Sequence, residues 1–210
     1  LAIPASLGLI LLRKPIIILL YQRGAFNAYS TQLVAWALLW YALGLIGHCA
    51  VEILARSFYA MHDTRTPVIV GTLAMGLNVG FSYLFSGWFL RLGWMPHGGL
   101  ALANSVATAL EMLGLFYLMR RQLGGLEEKA ILKATFQALL ASVGMGAILL
   151  WWLQAMGSLH VFWLSLGGIG LGGAVYFILG WISGNYEIRS LVAYLQRKIG
   201  KQTSSPIHPT

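Results

Sequence analysis

Apolar residues run through this sequence in long blocks, and the polar residues gather between them. Residues 34–55, 68–90, 98–119, 134–156 and 159–182 are each predominantly apolar. A helix needs about 20 such residues to cross the hydrocarbon core of a bilayer. Polar and apolar positions do not alternate within the blocks, which excludes the ten-residue strands of a membrane barrel. No block sits at the N-terminus ahead of a cleavage site, so none reads as a signal peptide. The first apolar stretch, residues 1–12, is too short to span alone, and a short helix over 15–22 is expected after it. This pattern predicts an all-α fold, a polytopic transmembrane helical bundle with about six spans over 1–184. It also suggests a C-terminal piece of a longer protein that begins inside a helix.

The polar segments carry the orientation signal, because cytoplasmic loops are enriched in Lys and Arg. If the chain enters from the cytoplasm and each block crosses once, the inner segments hold Arg56, Arg65, Arg120, Arg121, Lys129, Lys133, Arg189, Arg197, Lys198 and Lys201. The outer segments hold Arg13, Lys14, Arg23 and Arg91. Tryptophan gives the same layout independently. Trp36, Trp40, Trp88, Trp94, Trp151, Trp152 and Trp163 fall near outer ends, as an interfacial belt requires, and Trp181 alone lies at the inner face. The C-terminus is therefore expected in the cytoplasm.

Composition agrees: 58% of the 210 residues are hydrophobic and 10% charged, against about 25% charged in a soluble domain. The net charge of +8 is spread between spans, which fits membrane lipids with anionic headgroups and not nucleic acid. The lone Cys49 lies inside an apolar block and is expected to be a small buried residue. Metal-ligand clusters, phosphate-binding loops and nucleophile–base pairings are not found, and His48, His62, His97, His160 and His208 have no ligand spacing. Nothing here suggests an enzyme, a metal or a cofactor.

The turn "SFYAMHDTRTPV" over 57–68 reads as an inner hairpin. Pro67 suits the first turn of a helix, where its missing N–H costs nothing, and Thr66 is placed to cap that helix. Asp63 opposes the dipole of the preceding helix and is expected to pair with Arg65 or a neighbouring loop.

Charges inside spans need a reason, at about 2.5–3.5 kcal/mol each on the insertion scale. His48, Glu52 and Arg56 recur every four residues on one face, and Glu ahead of Arg by four is the favourable order for a helical pair. A local ion pair and a substrate or proton role both remain open for them. Asn78 and Ser82 share one face, as do Asn104, Thr108 and Glu111. Should these faces meet, they form a polar seam suited to a cation or a polar substrate group, or to interhelical hydrogen bonding alone.

The last two spans are rich in small residues, including Gly144, Gly146, Gly168 and Gly172, and Gly76 and Gly80 form a further pair. Such residues let helices approach closely; they can also leave a groove for a long acyl or isoprenoid chain. Residues 185–199 place Ile188, Leu191, Val192, Leu195 and Ile199 on one stripe, as in an amphipathic helix on the cytoplasmic surface. Residues 200–210 read as a disordered tail.

Three stretches, "LLYQRGAFNAYST" (19–31), "VEILARSFYAMHDTRTPV" (51–68) and "GGLALANSVATALEMLGLFYLMRR" (98–121), resemble the MurJ (MviN) family of lipid II flippases. The resemblance runs over about residues 1–185. Arg23, Gly24 and Phe26 match the family's outer turn, and Tyr59, Asp63, Thr64, Thr66 and Pro67 its inner turn. Gly24 would end the 15–22 helix, with Ser30 or Thr31 capping the next span. The likeness implies a second lobe of six helices that flips an undecaprenyl-linked peptidoglycan precursor outward by alternating access, together with a first lobe of the same chain upstream. A groove between the last two helices would hold the lipid tail. A coupling monovalent cation or the membrane potential would drive the cycle, with Asn78, Ser82 and Asn104 placed for the cation, although Ser82 is neutral where a strong site would want a carboxylate. Glu52 departs from a position that is basic in many members. The other readings are a drug or polysaccharide exporter of the same superfamily, and a membrane scaffold that transports nothing.

Overall fold

The computed structural model describes residues 1–125, 128–157 and 160–182; the expected surface helix over 185–199 and the tail lie outside them. The described residues form six helices: α1 (Ala2–Tyr21), α2 (Ala28–Ala60), α3 (Arg65–Arg91), α4 (His97–Gln122), α5 (Glu128–Ala155) and α6 (Val161–Ile182). All six are long and apolar enough to cross a membrane. Many large apolar side chains are exposed on the outside of the bundle, which is natural where the solvent is lipid. Cys49 is among the exposed residues, contrary to the expected burial.

The helix ends depart from expectation for physical reasons. The stretches 1–12 and 15–22 are one helix, with Pro15 inside it and Arg13 and Lys14 on it instead of in a loop. The Arg13 guanidinium donates to the Ile10 carbonyl, so its head stays satisfied along the helix. Helix α2 starts six residues earlier than the apolar block because Asn27 caps it. The Asn27 Oδ1 accepts from the Ser30 backbone N–H at 3.0 Å and the Ser30 hydroxyl at 3.2 Å, so the cap is Asn27 and not Ser30 or Thr31. Gly24 takes the left-handed conformation (φ +59°) in the intervening turn, two residues beyond the Gln22 cap of α1.

Helix α4 is the centre of one group, flanked by α2 and α3. It packs along both α2 and α3, which scarcely touch each other. Over residues 97–107 its buried face is all small: Gly98, Gly99, Ala101, Ala103, Ser105 and Ala107. At Gly44 of α2 a Cβ would stand 2.9 Å from the Ser105 Cα of α4. Without a hydrophobic drive between helices in lipid, such backbone proximity supplies the van der Waals contact that holds them. A Cβ added at Gly76 or Gly80, by contrast, would meet nothing within 4 Å beyond its own helix among the described residues. Phe58, Leu115 and Met119 seal the far end. At the near end Trp36, Trp40, Phe89 and Trp94 form an edge-to-face cluster with centroids as close as 5.2 Å. Trp36 Nε1 also donates to the Met95 carbonyl at 3.3 Å.

Helices α1, α5 and α6 form a second group around Leu12, Ala141, Met145, Leu149 and Tyr176. Helix α1 also packs on α2, where the Ser6 hydroxyl donates to the Ala42 carbonyl.

Candidate functional site

Because α2 and α3 straddle α4 without closing over it, a furrow runs between them with α4 as its floor. The seam expected from sequence lies here. Asn104 and Thr108 rise from the floor, Asn78 and Ser82 line the α3 wall, and His48 lines the α2 wall. Ser82 Oγ donates to Asn78 Oδ1 at 3.3 Å, and Asn78 Nδ2 donates to Asn104 Oδ1 at 3.4 Å. Asn104 Nδ2 stands 3.1 Å from His48 Nε2, and Thr108 Oγ1 stands 3.3 Å from the same nitrogen. The two predicted polar faces therefore meet, and the chain of contacts spans three helices. Glu111, one turn further along the floor, has its carboxylate against Gly71 of α3 and within electrostatic reach of the His48 side chain.

His48 is the member that sequence reasoning missed. Its four-residue spacing to Glu52 and Arg56 assigned it to their face, and only the rotation of α2 against α4 shows that its ring turns to Asn104. Glu52 and Arg56 stay together instead. Arg56 Nη2 and Nε lie 2.7 and 3.0 Å from Glu52 Oε1, and both side chains are exposed, at 75% and 65%. That is the geometry of a local helical pair, worth little at such exposure.

The inner turn is held by Asp63. Its Oδ1 accepts from the Thr66 backbone N–H at 3.0 Å, and its Oδ2 accepts from the Thr66 hydroxyl at 2.6 Å and from Gln122 Nε2 at 3.1 Å. These donors, the Thr66 hydroxyl first, hold the Asp63 carboxyl below the usual carboxylate range. The capping group is therefore Asp63 and not Thr66; Asp63 engages Thr66, the Arg65 backbone N–H and the end of α4, and among the described residues it forms no ion pair with the Arg65 side chain. Thr66 is already helical although it precedes proline, a geometry its two bonds to Asp63 stabilise against the usual bias. Thr64 occupies the N-cap position without a side-chain cap bond. Pro67 is buried in the first turn as expected, Tyr59 is exposed and His62 takes the left-handed conformation (φ 59°). In the outer turn Arg23 is exposed and Phe26 leans on Tyr21 with centroids 6.0 Å apart.

The groove expected between the last two helices lies elsewhere. Helices α5 and α6 pack directly, with Gly172 against Leu149 and Gly144 facing the Leu179 side chain, while Gly146 lies against Leu7 of α1. A groove of about 510 Å³ opens instead between α1 and α6, over a floor of Met145 and Leu149. Gly8 of α1 and Gly168, Gly172 and Gly173 of α6 line it. Gly144 and Gly146 are thus packing positions, whereas Gly168 and Gly172 border the groove.

The fold and these features define a polytopic helical membrane protein with an interhelical polar furrow and a lateral apolar groove. The family described as Lipid II flippase MurJ matches residues 1–166, and the chain belongs to that family. A probable lipid II flippase MurJ of Rhizobium tropici is 32% identical over 206 residues, covering 94% of this chain and 38% of the relative. One of Vibrio cholerae is 35% identical over 169 residues, covering 80% and 30%. A solved structure, lipid II flippase MurJ in an inward closed conformation, superposes with a TM-score of 0.70 at 29% identity, over 91% of this chain and 37% of that one. The chain thus spans between 30% and 38% of the length of these relatives.

Proposed function

We propose that this chain works as part of a flippase that carries lipid II, an undecaprenyl-linked peptidoglycan precursor, from the inner to the outer leaflet of the bacterial inner membrane. Family membership across residues 1–166 carries the reading, and the likeness of the fold to a solved MurJ supports it. On this reading the groove between α1 and α6 takes the lipid tail, since its lining is almost wholly apolar. The open side of the furrow, with Glu52, Arg56 and Glu111, faces the path of the polar headgroup. The C-terminus lies in the cytoplasm. A coupling cation or the membrane potential drives the cycle, and Asn78, Ser82 and Asn104 are where a cation would bind.

The test is depletion of the full-length protein in cells whose lipid II is labelled and counted in each leaflet. Outer-leaflet lipid II should fall while the inner pool rises. Unchanged leaflet distribution on depletion would remove the reading.

A further inference from the structure

We propose that His48 is a proton-binding site whose protonation reverses the direction of a hydrogen-bond chain running from α2 through α4 to Ser82 on α3. The inference rests on the furrow's geometry alone and stands whatever the chain transports.

The chain has four members: His48, Asn104, Asn78 and Ser82. In the observed sense, Ser82 donates to Asn78 Oδ1, Asn78 Nδ2 donates to Asn104 Oδ1, and Asn104 Nδ2 points at His48 Nε2. That last link requires Nε2 to accept, so the ring is neutral with its proton on Nδ1. Protonation turns Nε2 into a donor and sets two donors face to face. Rotating the Asn104 amide by half a turn restores the bond, but it then opposes its Nδ2 to the Nδ2 of Asn78. Asn78 must therefore rotate as well and donate to Ser82. Every link survives with its sense reversed, so the two amides move together or not at all.

Two features make both states accessible. The Ser82 hydroxyl can donate or accept, so it closes the chain in either sense, whereas a carboxylate could only accept. Thr108 Oγ1, 3.3 Å from Nε2, offers the same freedom at the other end.

The charges around the ring also suit a proton. From α4, Glu111 interacts with His48 and forms no ion pair or hydrogen bond among the described residues. On α2, Cys49 is adjacent and Glu52 lies one turn on, but the Glu52 carboxylate is engaged by Arg56. On α3 the charged residues are Arg65 and Arg91 at its two ends, each about 20 Å along the helix from Asn78. On α1 the cations are Arg13 and Lys14, and Ser6 meets Ala42, so the antiparallel run takes them away from His48. Among the described residues a cationic His48 thus has one available counter-charge, Glu111. A proton taken up on α2 is felt on α3, a helix that α2 scarcely touches.

The experiment uses the full-length protein with labelled histidine and asparagine side chains, reconstituted in lipid nanodiscs and followed by NMR while pH is lowered. His48→Gln assigns the ring signal. In the parent the neutral ring should carry its proton on Nδ1, and the side-chain amides of Asn104 and Asn78 should shift with the same midpoint as the ring. Ser82→Asp, able only to accept, should hold the chain in the reversed sense and move the neutral ring's proton to Nε2. Asparagine amides that stay fixed while His48 titrates would overturn the proposal, as would a neutral parent ring protonated on Nε2. The parent titration needs no variant, so misfolding of Ser82→Asp leaves the test intact.

Discussion

Gly44→Ala tests whether backbone proximity holds this bundle together. The added Cβ would stand 2.9 Å from both the Cα and the Cβ of Ser105 and 2.5 Å from its Oγ. Carbon atoms in contact prefer about 3.5–4.0 Å, so α2 and α4 must separate by roughly 0.6 Å or more. Ser105 cannot swing aside freely, because it is buried and its hydroxyl donates to the Trp40 carbonyl at 2.6 Å. Overpacking of this kind costs about 1–3 kcal/mol, and loss of the Ser105 bond adds roughly 0.5–1.5 kcal/mol. The expected destabilisation is therefore about 1.5–4.5 kcal/mol, a factor of roughly 10 to 2,000 in the unfolding equilibrium. The separation also reaches the furrow one turn on, where His48 sits 3.1 and 3.3 Å from Asn104 and Thr108. Both contacts would lengthen past hydrogen-bonding range. Denaturant titration of the full-length protein in mixed micelles measures the equilibrium, and Ser105→Gly in the same background should recover part of the loss. A Gly44→Ala protein within 0.5 kcal/mol of the parent, a difference of the order seen for surface substitutions, would refute the packing argument.

Three further changes separate packing from transport. Asp63→Asn replaces an acceptor of the Gln122 amide with a donor, so cross-linking between cysteines placed beside residues 63 and 122 should fall several-fold; equal yields would leave the turn free of that tether. Because the Asp63 carboxyl sits below its ordinary range, the tether should be complete at neutral pH and be lost only as pH falls through the folded-state value; loosening between pH 8 and 6 would contradict the assignment. Glu111→Ala should lower leaflet-to-leaflet transport several-fold at normal membrane levels, and unchanged transport would make the carboxylate a packing residue. Gly173→Leu adds a side chain where nothing lies within 4 Å, so it should fill the groove, leave the fold intact and weaken binding of a fluorescent isoprenoid lipid several-fold. Undiminished binding would place the tail elsewhere.

The spans were legible because bilayer thickness imposes a length on every apolar block. Their ends were not, because a cap is a local hydrogen-bond choice among neighbouring polar residues. Asn27 competes with Ser30 and Thr31, and Asp63 with Thr66, and only backbone geometry decides between them. Residues 13–15 read as an interruption by composition, yet Arg13 satisfies itself on the Ile10 carbonyl and the helix continues. The furrow was half legible. Spacing on α3 and α4 gave the faces that meet, but His48 depends on how α2 is rotated about its axis, which no single-helix pattern contains. The groove failed for a related reason. A glycine stripe signals close approach or open space, and at Gly144 and Gly146 the neighbouring leucines occupy the space.

The placement of α1 links the furrow and the groove. Helix α1 packs against α2 on one side and against α5 and α6 on the other, so it belongs to the wall of the groove and to the support of the furrow. A guest pressing between Gly8 and Gly168 meets α1 directly. Behind that contact, Ser6 is bonded to Ala42, two residues before Gly44 fixes α2 on Ser105. Displacement of α1 must therefore either break the Ser6 bond or carry α2 with it, and α2 has almost no freedom against α4. Close-packed interfaces of this kind shift between discrete arrangements more readily than they deform. A Ser6→Ala protein removes the Ser6–Ala42 bond across the joint and leaves both sites chemically intact. If groove occupancy is transmitted through α1, the accessibility of the native, exposed Cys49 beside His48 should respond to added isoprenoid lipid in the parent and respond at least twofold less in Ser6→Ala. Equal responses in the two proteins would show that the groove and the furrow communicate by another route.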